Sequence, residues 1–328
     1  MGPMRLLIYG QGWPEVLAKQ ISRLEDGRLV VRGIDFPCVN PLQLAWEVAR
    51  ANIVMRVGVR PAGGDKRMFV LDCLWQLFRM AWPRKEFIYY WIGTDVLEAL
   101  EDKAQGRHSF FFEASRSARH LANAPWLQEE LASLGLASEV VLFPSGIAEI
   151  PARDEIAWPE RFAVMAYIPD HRHGFYGGDS FVEAAKRLPG VDFYVVAGEG
   201  GWLADKPKNL NFLGFQRDMK AVFNRVHVVV RQVRHDAIGG TVREALFYAR
   251  HAIYSYPVPH THFVAWGDAE SLIARITHFQ DLFEAGQLSP NEAGREYAAS
   301  AWLPSRLTNT LVRTLLTPMG GEGPERVG

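Results

Sequence analysis

One stretch, Asn224–Tyr256 (NRVHVVVRQVRHDAIGGTVREALFYARHAIYSY), constrains what this chain can fold into more than any other. Val226, Val228, Val229 and Val230 form a β-branched run of the kind buried on both faces of a parallel sheet. A polar segment with two glycines follows from Arg231 to Gly240. Val242, Ala245, Leu246 and Ala249 then recur at three and four residues, the spacing of one apolar helix face. Ala252–Tyr256 reads as the next strand. Strand, loop, helix and strand make a parallel βαβ unit, and such sheets collect their ligands at the carboxyl ends of the strands.

The chemistry of the loop narrows the ligand. Peptide N–H groups at Gly239, Gly240 and Thr241 lie at a helix N-terminus, where unpaired donors and the helix dipole favour an anion such as a diphosphate. Asp236 and Glu244 lie eight residues apart across that position. Carboxylates repel phosphate, but they accept hydrogen bonds from hydroxyls on either side of a diphosphate: a ribose on one side and a hexose on the other. That is the outline of a nucleotide sugar.

An acid, seven intervening residues, then Glu-Ala at a small-residue helix and an apolar strand resembles the E-x7-E region of family 4 retaining glycosyltransferases, which have the GT-B fold. Here it stands as Asp236-x7-Glu244 within RQVRHDAIGGTVREAL. The resemblance implies that Asp236 meets the transferred sugar, the backbone from Ile238 to Thr241 meets the diphosphate, and Glu244 meets the ribose. It also implies an α/β fold of two Rossmann-like, doubly wound domains facing each other across a cleft.

At 328 residues, with 48% hydrophobic and 22% charged residues, the chain has the material for two globular domains. A net charge of −1 gives no argument for nucleic acid as a partner. Cys38 and Cys73, the two cysteines, have no metal-like neighbours and read as buried thiols in a reducing, cytoplasmic setting. The opening MGPMRLLIYGQG enters a glycine turn too soon to read as a signal peptide, and no apolar run is long enough to span a membrane.

The first half alternates strand and helix. Met4–Tyr9 is a strand that runs into Gly10-Gln11-Gly12, a turn that lets backbone approach a ligand closely; by resemblance Gly10 and Gly12 reach toward the donor diphosphate. Ala51–Val59 is a core strand, residues 60–67 a loop, and Asp72–Trp82 a helix. Trp75, Phe78, Arg79 and Trp82 on that helix suit either a core helix with a basic end or a membrane-surface helix. Phe87–Ile92 is a strand that ends at Gly93-Thr94-Asp95-Val96. WIGTDV resembles the HGTDV-type segment of the same family, with Trp91 and Ile92 where a His is often found, so Asp95 is a catalytic candidate that also suits a helix cap. Phe110–Ala114 and Val140–Phe143 read as further strands, Ser115–Leu121 as loop or helix start, and Trp126–Leu134 as a helix.

The domain boundary is expected near Ile150, giving an acceptor-side domain at 1–150 and a donor-binding domain at 151–302. A last helix, about 303–318, is expected to return to the first domain with Pro304 at the break. Phe162–Ile168 is a strand before the loop PDHRHGFYGGD. The family places an Arg and a Lys in that loop; Arg172 matches the Arg, Tyr176 stands where Lys is expected, and Arg231 or Arg234 can supply the missing charge. Gly198, in GEGG after the strand Asp192–Ala197, looks like the donor-side turn near the nucleotide base. The segment PVPHTHFVAWGD reads as a loop.

The resemblance implies transfer of a sugar from a UDP- or GDP-linked donor to an acceptor hydroxyl with retention of configuration, in glycan or glycolipid synthesis. Asp236, Arg172, Asp95 and Arg231 are the catalytic candidates. Gly10, Gly12, Gly198, Gly239, Gly240, Thr241 and Glu244 are the donor-binding ones. No metal or other cofactor is required, since arginines and a helix dipole can carry the diphosphate charge. The acceptor is a carbohydrate or a lipid-linked molecule, the latter compatible with peripheral contact at the inner face of a membrane. The alternative is a catalytically inactive GT-B protein that binds nucleotide sugars as a partner. A nicotinamide-dependent enzyme with Asp35 on the ribose is a second alternative, against which the incomplete glycine pattern of GQGWPE counts.

Overall fold

The computed structural model describes residues 3–10, 12–24, 29–35, 40–58, 66–107, 115–144 and 150–317. The chain divides into two compact units, Met1–Gly146 with Pro304–Gly328, and Ile147–Leu303. The first unit runs β1 (Met4–Gly10), α1 (Pro14–Leu24), β2 (Leu29–Asp35), α2 (Pro41–Arg50), β3 (Ile53–Val57), α3 (Lys66–Ala81), β4 (Glu86–Trp91), α4 (Thr94–Ala104), β5 (Arg119–Ala122), α5 (Pro125–Ser133) and β6 (Glu139–Val140). Its strands form one sheet in the order β2-β1-β3-β4-β5-β6, with every neighbouring pair parallel.

The second unit runs β7 (Ala163–Tyr167), α6 (Gly178–Arg187), β8 (Asp192–Val196), β9 (Leu210–Gly214), α7 (Met219–Phe223), β10 (Val228–Arg231), α8 (Gly240–Phe247), β11 (His251–Tyr254), β12 (His262–Phe263), α9 (Ala269–Glu284) and α10 (Glu292–Ala301). Its parallel sheet has the order β12-β11-β10-β7-β8-β9. The chain winds outward from β7 in one direction and from β10 in the other, so the topological switch, where a crevice opens in such sheets, lies between the carboxyl ends of β7 and β10. The valine run is buried as its composition requires: Val228 and Val230 join the core formed with Ala184, Ile276 and Phe279, and Val229 is buried on the opposite side of the strand.

The last helix, α11 (Pro304–Leu316), packs on α1, and Leu311, Val312 and Leu315 join the core of Leu6, Ile8, Leu17 and Ile21. Pro304 is its first residue, a position where the missing N–H costs nothing.

The expected strand Phe110–Ala114 and most of the expected loop at 60–67 lie outside the described residues, but Lys66 and Arg67 already belong to α3. The strand beside β4 is β5, in a stretch whose sequence reads as loop or helix start. Its polarity hides it. Arg119 is buried because its guanidinium meets Glu86 at 2.8 Å and Glu139 at 3.0 Å, and His120 because Trp91 Nε1 donates to its Nδ1 at 3.0 Å. A two-residue strand, β12, likewise lies in the segment read as a loop. On α3, Trp75 and Phe78 are buried, so the aromatic stripe of a membrane-surface helix is not formed by them. No helix among the described residues is long and apolar enough to cross a membrane.

Candidate functional site

The site is assembled at the β7/β10 switch. Arg231 ends β10 opposite Tyr254 in the β11 ladder. Its Nε donates to Asp236 Oδ2 at 2.5 Å and its Nη1 to Thr241 Oγ1 at 3.3 Å, so one guanidinium ties the loop acid to the start of α8. Gly239 makes this possible: a Cβ there would sit 2.1 Å from Arg231 Nε and 2.6 Å from its Cδ. Burial alone would lower the Arg231 pKa, but the charge of Asp236 and the hydrogen bond to it prevail and hold it above its ordinary value.

The N-terminus of α8 is open to an anion. The Gly239 N–H donates to the Tyr254 hydroxyl at 3.4 Å, and the Gly239 carbonyl accepts from Val242 and Arg243. The N–H groups of Gly240 and Thr241, the first two of the helix, have no acceptor among the described residues, as helix geometry requires. Arg243 is buried and donates to the Ile238 carbonyl at 3.2 Å, closing the loop from beneath. Glu244 follows one turn into α8. Among the described residues its carboxyl makes no hydrogen bond or ion pair, and burial pushes its pKa up to about 7 against the pull of Arg243 and Arg231.

Two tyrosines not singled out in the sequence hold the loop. The Tyr254 hydroxyl lies 3.3 Å from Asp236 Oδ2 and also bonds to the Ala237 carbonyl, while the Tyr256 hydroxyl accepts the Asp236 N–H at 3.2 Å. The legible signal was the alternation Tyr254-Ser255-Tyr256 at the end of a strand, which sends both rings to the same side.

From β7 comes a layer of cations and rings. Arg172 lies 4.0 Å from the centre of the Phe175 ring and 5.7 Å from that of Tyr176, and Arg231 lies 5.4 Å from Tyr176 and 5.7 Å from Tyr167. Tyr176 therefore has a guanidinium near it from each of two elements. The GEGG turn is fixed to this loop by Asp170, whose carboxylate accepts from the N–H groups of Glu199 at 3.1 Å and Gly200 at 2.9 Å. Burial would raise the Asp170 pKa, but these N–H donors hold it below the usual carboxylate value. Gly198 leaves no room for a side chain, since a Cβ would lie 2.3 Å from the Ile168 carbonyl oxygen.

Asp236, Arg231, Arg172, Gly198, Gly239, Gly240, Thr241 and Glu244 all belong to the second unit; Gly10, Gly12 and Asp95 belong to the first. Gly10 ends β1 between Asp35 and Val57, and the Gly12 N–H donates to Asp35 Oδ1 at 3.1 Å. Asp95, the second residue of α4, is buried, and its carboxylate accepts from the N–H groups of Ile92 at 3.1 Å, Gly93 at 2.8 Å and Val96 at 3.0 Å, which ties the end of β4 to the first turn of the helix. No group of three or more His, Cys, Asp or Glu among the described residues could hold a metal ion.

The sequence matches no protein-family model and no curated protein. Solved structures do match. HepE from Anabaena, in complex with UDP-glucose, aligns with a TM-score of 0.69 at 12% identity over 95% of this chain and 99% of that one. Sucrose-phosphate synthase from Thermosynechococcus elongatus aligns at 0.68 and 10% identity over 95% and 98%. A glycosyltransferase from Rickettsia africae aligns at 0.66 and 11% identity over 96% and 98%. At these identities the likeness is one of fold, and the fold is that of the GT-B glycosyltransferases: two Rossmann-like units, each built on a six-stranded parallel sheet.

Proposed function

We propose that this chain is a family 4-like glycosyltransferase that moves a sugar from a UDP- or GDP-linked donor to an acceptor hydroxyl with retention of configuration. The observation that carries this reading is the position of Arg231 between Asp236 and Thr241, beside the open N–H groups of Gly240 and Thr241 at the β7/β10 switch. The donor diphosphate lies on those N–H groups, with Arg231 and Arg172 facing its charge. Charge that develops on the departing diphosphate meets donors already in place, so little reorganisation is needed as the glycosidic bond breaks. Asp236, held by Arg231 and Tyr254, accepts from a hydroxyl of the sugar, and Glu244 engages the ribose hydroxyls. Gly198 lies on the nucleoside side. Gly10 and Gly12 are backbone ligand-contact positions of the first unit, which takes the acceptor, and Asp95 acts as a positioning residue that shapes its own strand-to-helix turn.

The donor needs no metal in this reading, because the helix N-terminus and the arginines supply the positive charge. The acceptor is a glycan or lipid-linked glycan, and the setting is cytoplasmic. Incubation with UDP- and GDP-sugars and a panel of sugar acceptors tests the proposal. Release of nucleoside diphosphate with transfer or hydrolysis supports it; tight binding without turnover across the panel would make the chain a non-catalytic binding partner instead.

A further inference from the structure

A cavity of about 480 Å³ lies in the first unit at the amino ends of its strands, away from the strand ends that carry Gly10 and Asp95. Its wall includes Lys85 and Glu86 at the entry to β4, Arg119 at the entry to β5, and Arg79, Met80 and Ser117. The Arg119 charge is engaged by Glu86 and Glu139. Lys85 is a cation whose charge no described carboxylate neutralises; its ammonium donates to the carbonyls of Ala49, at 2.8 Å, and Ala51, which accounts for two of its three protons. Burial holds its pKa below the ordinary lysine value, as a partly desolvated cation requires. Arg79 donates to Ser117 Oγ at 2.9 Å, and that places a planar fork and a hydroxyl on the same wall. Gln76 and the apolar Met80 and Pro83 continue the wall, and Met80 is 78% exposed.

A point cation, a guanidinium fork and a hydroxyl lining one cavity suit an anion with several oxygens, which a phosphate has. The volume exceeds that of a phosphate group, and the exposed Met80 and Pro83 on its wall suit an apolar body attached to it. We propose that this cavity binds a phosphate-bearing amphiphile, with its phosphate oxygens on Lys85, Arg79 and Ser117 and its apolar part along Met80 and Pro83. The site is separate from the proposed donor site and does not depend on sugar transfer.

The full chain is titrated with octyl phosphate and, in a second arm, sedimented with vesicles of phosphatidylcholine alone or containing phosphatidylglycerol. Binding in either arm is expected to weaken at least about tenfold in Ser117→Glu, which adds a carboxylate at an exposed position, and in Arg79→Gln. Thermal unfolding without ligand controls for folding of both variants. Binding of octyl phosphate alone identifies a soluble ligand, and selective sedimentation with the anionic vesicles identifies a lipid headgroup. No binding in either arm, or binding that both variants leave unchanged, overturns the proposal.

Discussion

Arg231 lies against the backbone of Gly239 so closely that the glycine has no space for a β-carbon; the contact point is the guanidinium Nε, 2.1 Å from where that carbon would be. A single methyl group at 239 must therefore displace the cation from Asp236 and Thr241, or displace the loop. Gly239→Ala is expected to cost about 1–3 kcal/mol of stability by overpacking and to weaken nucleotide-sugar affinity at least about tenfold through the lost charge-assisted contact. Calorimetric titration beside thermal unfolding separates the two effects. Unchanged affinity would show that the guanidinium is not needed where it lies.

The hydroxyl of Tyr254 joins the loop acid to the start of α8, since it meets both Asp236 Oδ2 and the Gly239 N–H. Tyr254→Phe keeps the buried ring and removes that link. Turnover is expected to fall about ten- to a hundredfold, in line with the loss of one buried hydrogen-bond hub, while affinity for the nucleoside diphosphate changes only a few-fold. A parallel loss of thermal stability and nucleotide affinity, with turnover of the bound donor preserved, would mark the residue as structural only.

How much of this was legible in the sequence depends on where polar residues sit. The valine run, the periodicity of α8 and the glycines before it are local signals, and they mark the strand-loop-helix unit of the candidate site without tertiary information. The break at Pro304 is equally local. What sequence could not give were features created by pairing across distance. Arg119 and His120 look like loop residues until Glu86, Glu139 and Trp91 arrive from other elements to bury them in β5. Tyr254 reads as an ordinary strand residue until its hydroxyl meets a loop eighteen positions back. Asp95 could be read as cap or catalyst, and only the geometry shows three backbone N–H groups on its carboxylate.

Glu244 carries a pH prediction. Its pKa is raised from 4.5 to about 7, with burial the main cause, so the folded chain holds a proton that the unfolded chain has released between those values. This group's contribution therefore favours the fold below about pH 4.5 and is lost as the pH rises through about 7. A bound diphosphate nearby raises the value further, so donor binding is expected to take up a proton at and above about pH 7 and to tighten as the pH falls toward about 7, levelling off below it. Titration of a UDP-sugar in buffers of different ionisation enthalpy measures that uptake. Glu244→Gln is expected to abolish it; uptake of the same size in that variant would assign the proton elsewhere.

His120 makes the opposite prediction for stability. Its Nδ1 accepts from Trp91 and its Nε2 lies 3.1 Å from the Ser115 carbonyl, a neutral ring with one acceptor and one donor. Burial first, and Arg79 after it, lower its pKa from 6.5 to about 4, although the Ser115 contact opposes the shift. The unfolded chain binds the extra proton between those values, so stability is lost as the pH falls from 6.5 toward about 4, up to about 3 kcal/mol from this group. Urea unfolding across that range should show the loss. His120→Gln, which retains an acceptor and a donor, is expected to flatten it, and an equally steep acid dependence in the variant would contradict the assignment.

The most direct test of the central claim is calorimetric titration of UDP-glucose and a GDP-hexose into the intact chain and into Arg231→Gln. Saturable binding of one nucleotide sugar to the wild type, weakened at least about tenfold in the variant, is the predicted result. An intact, folded chain that binds neither donor, or binds one equally well without the Arg231 charge, would contradict the claim that Arg231 and the start of α8 hold a donor diphosphate.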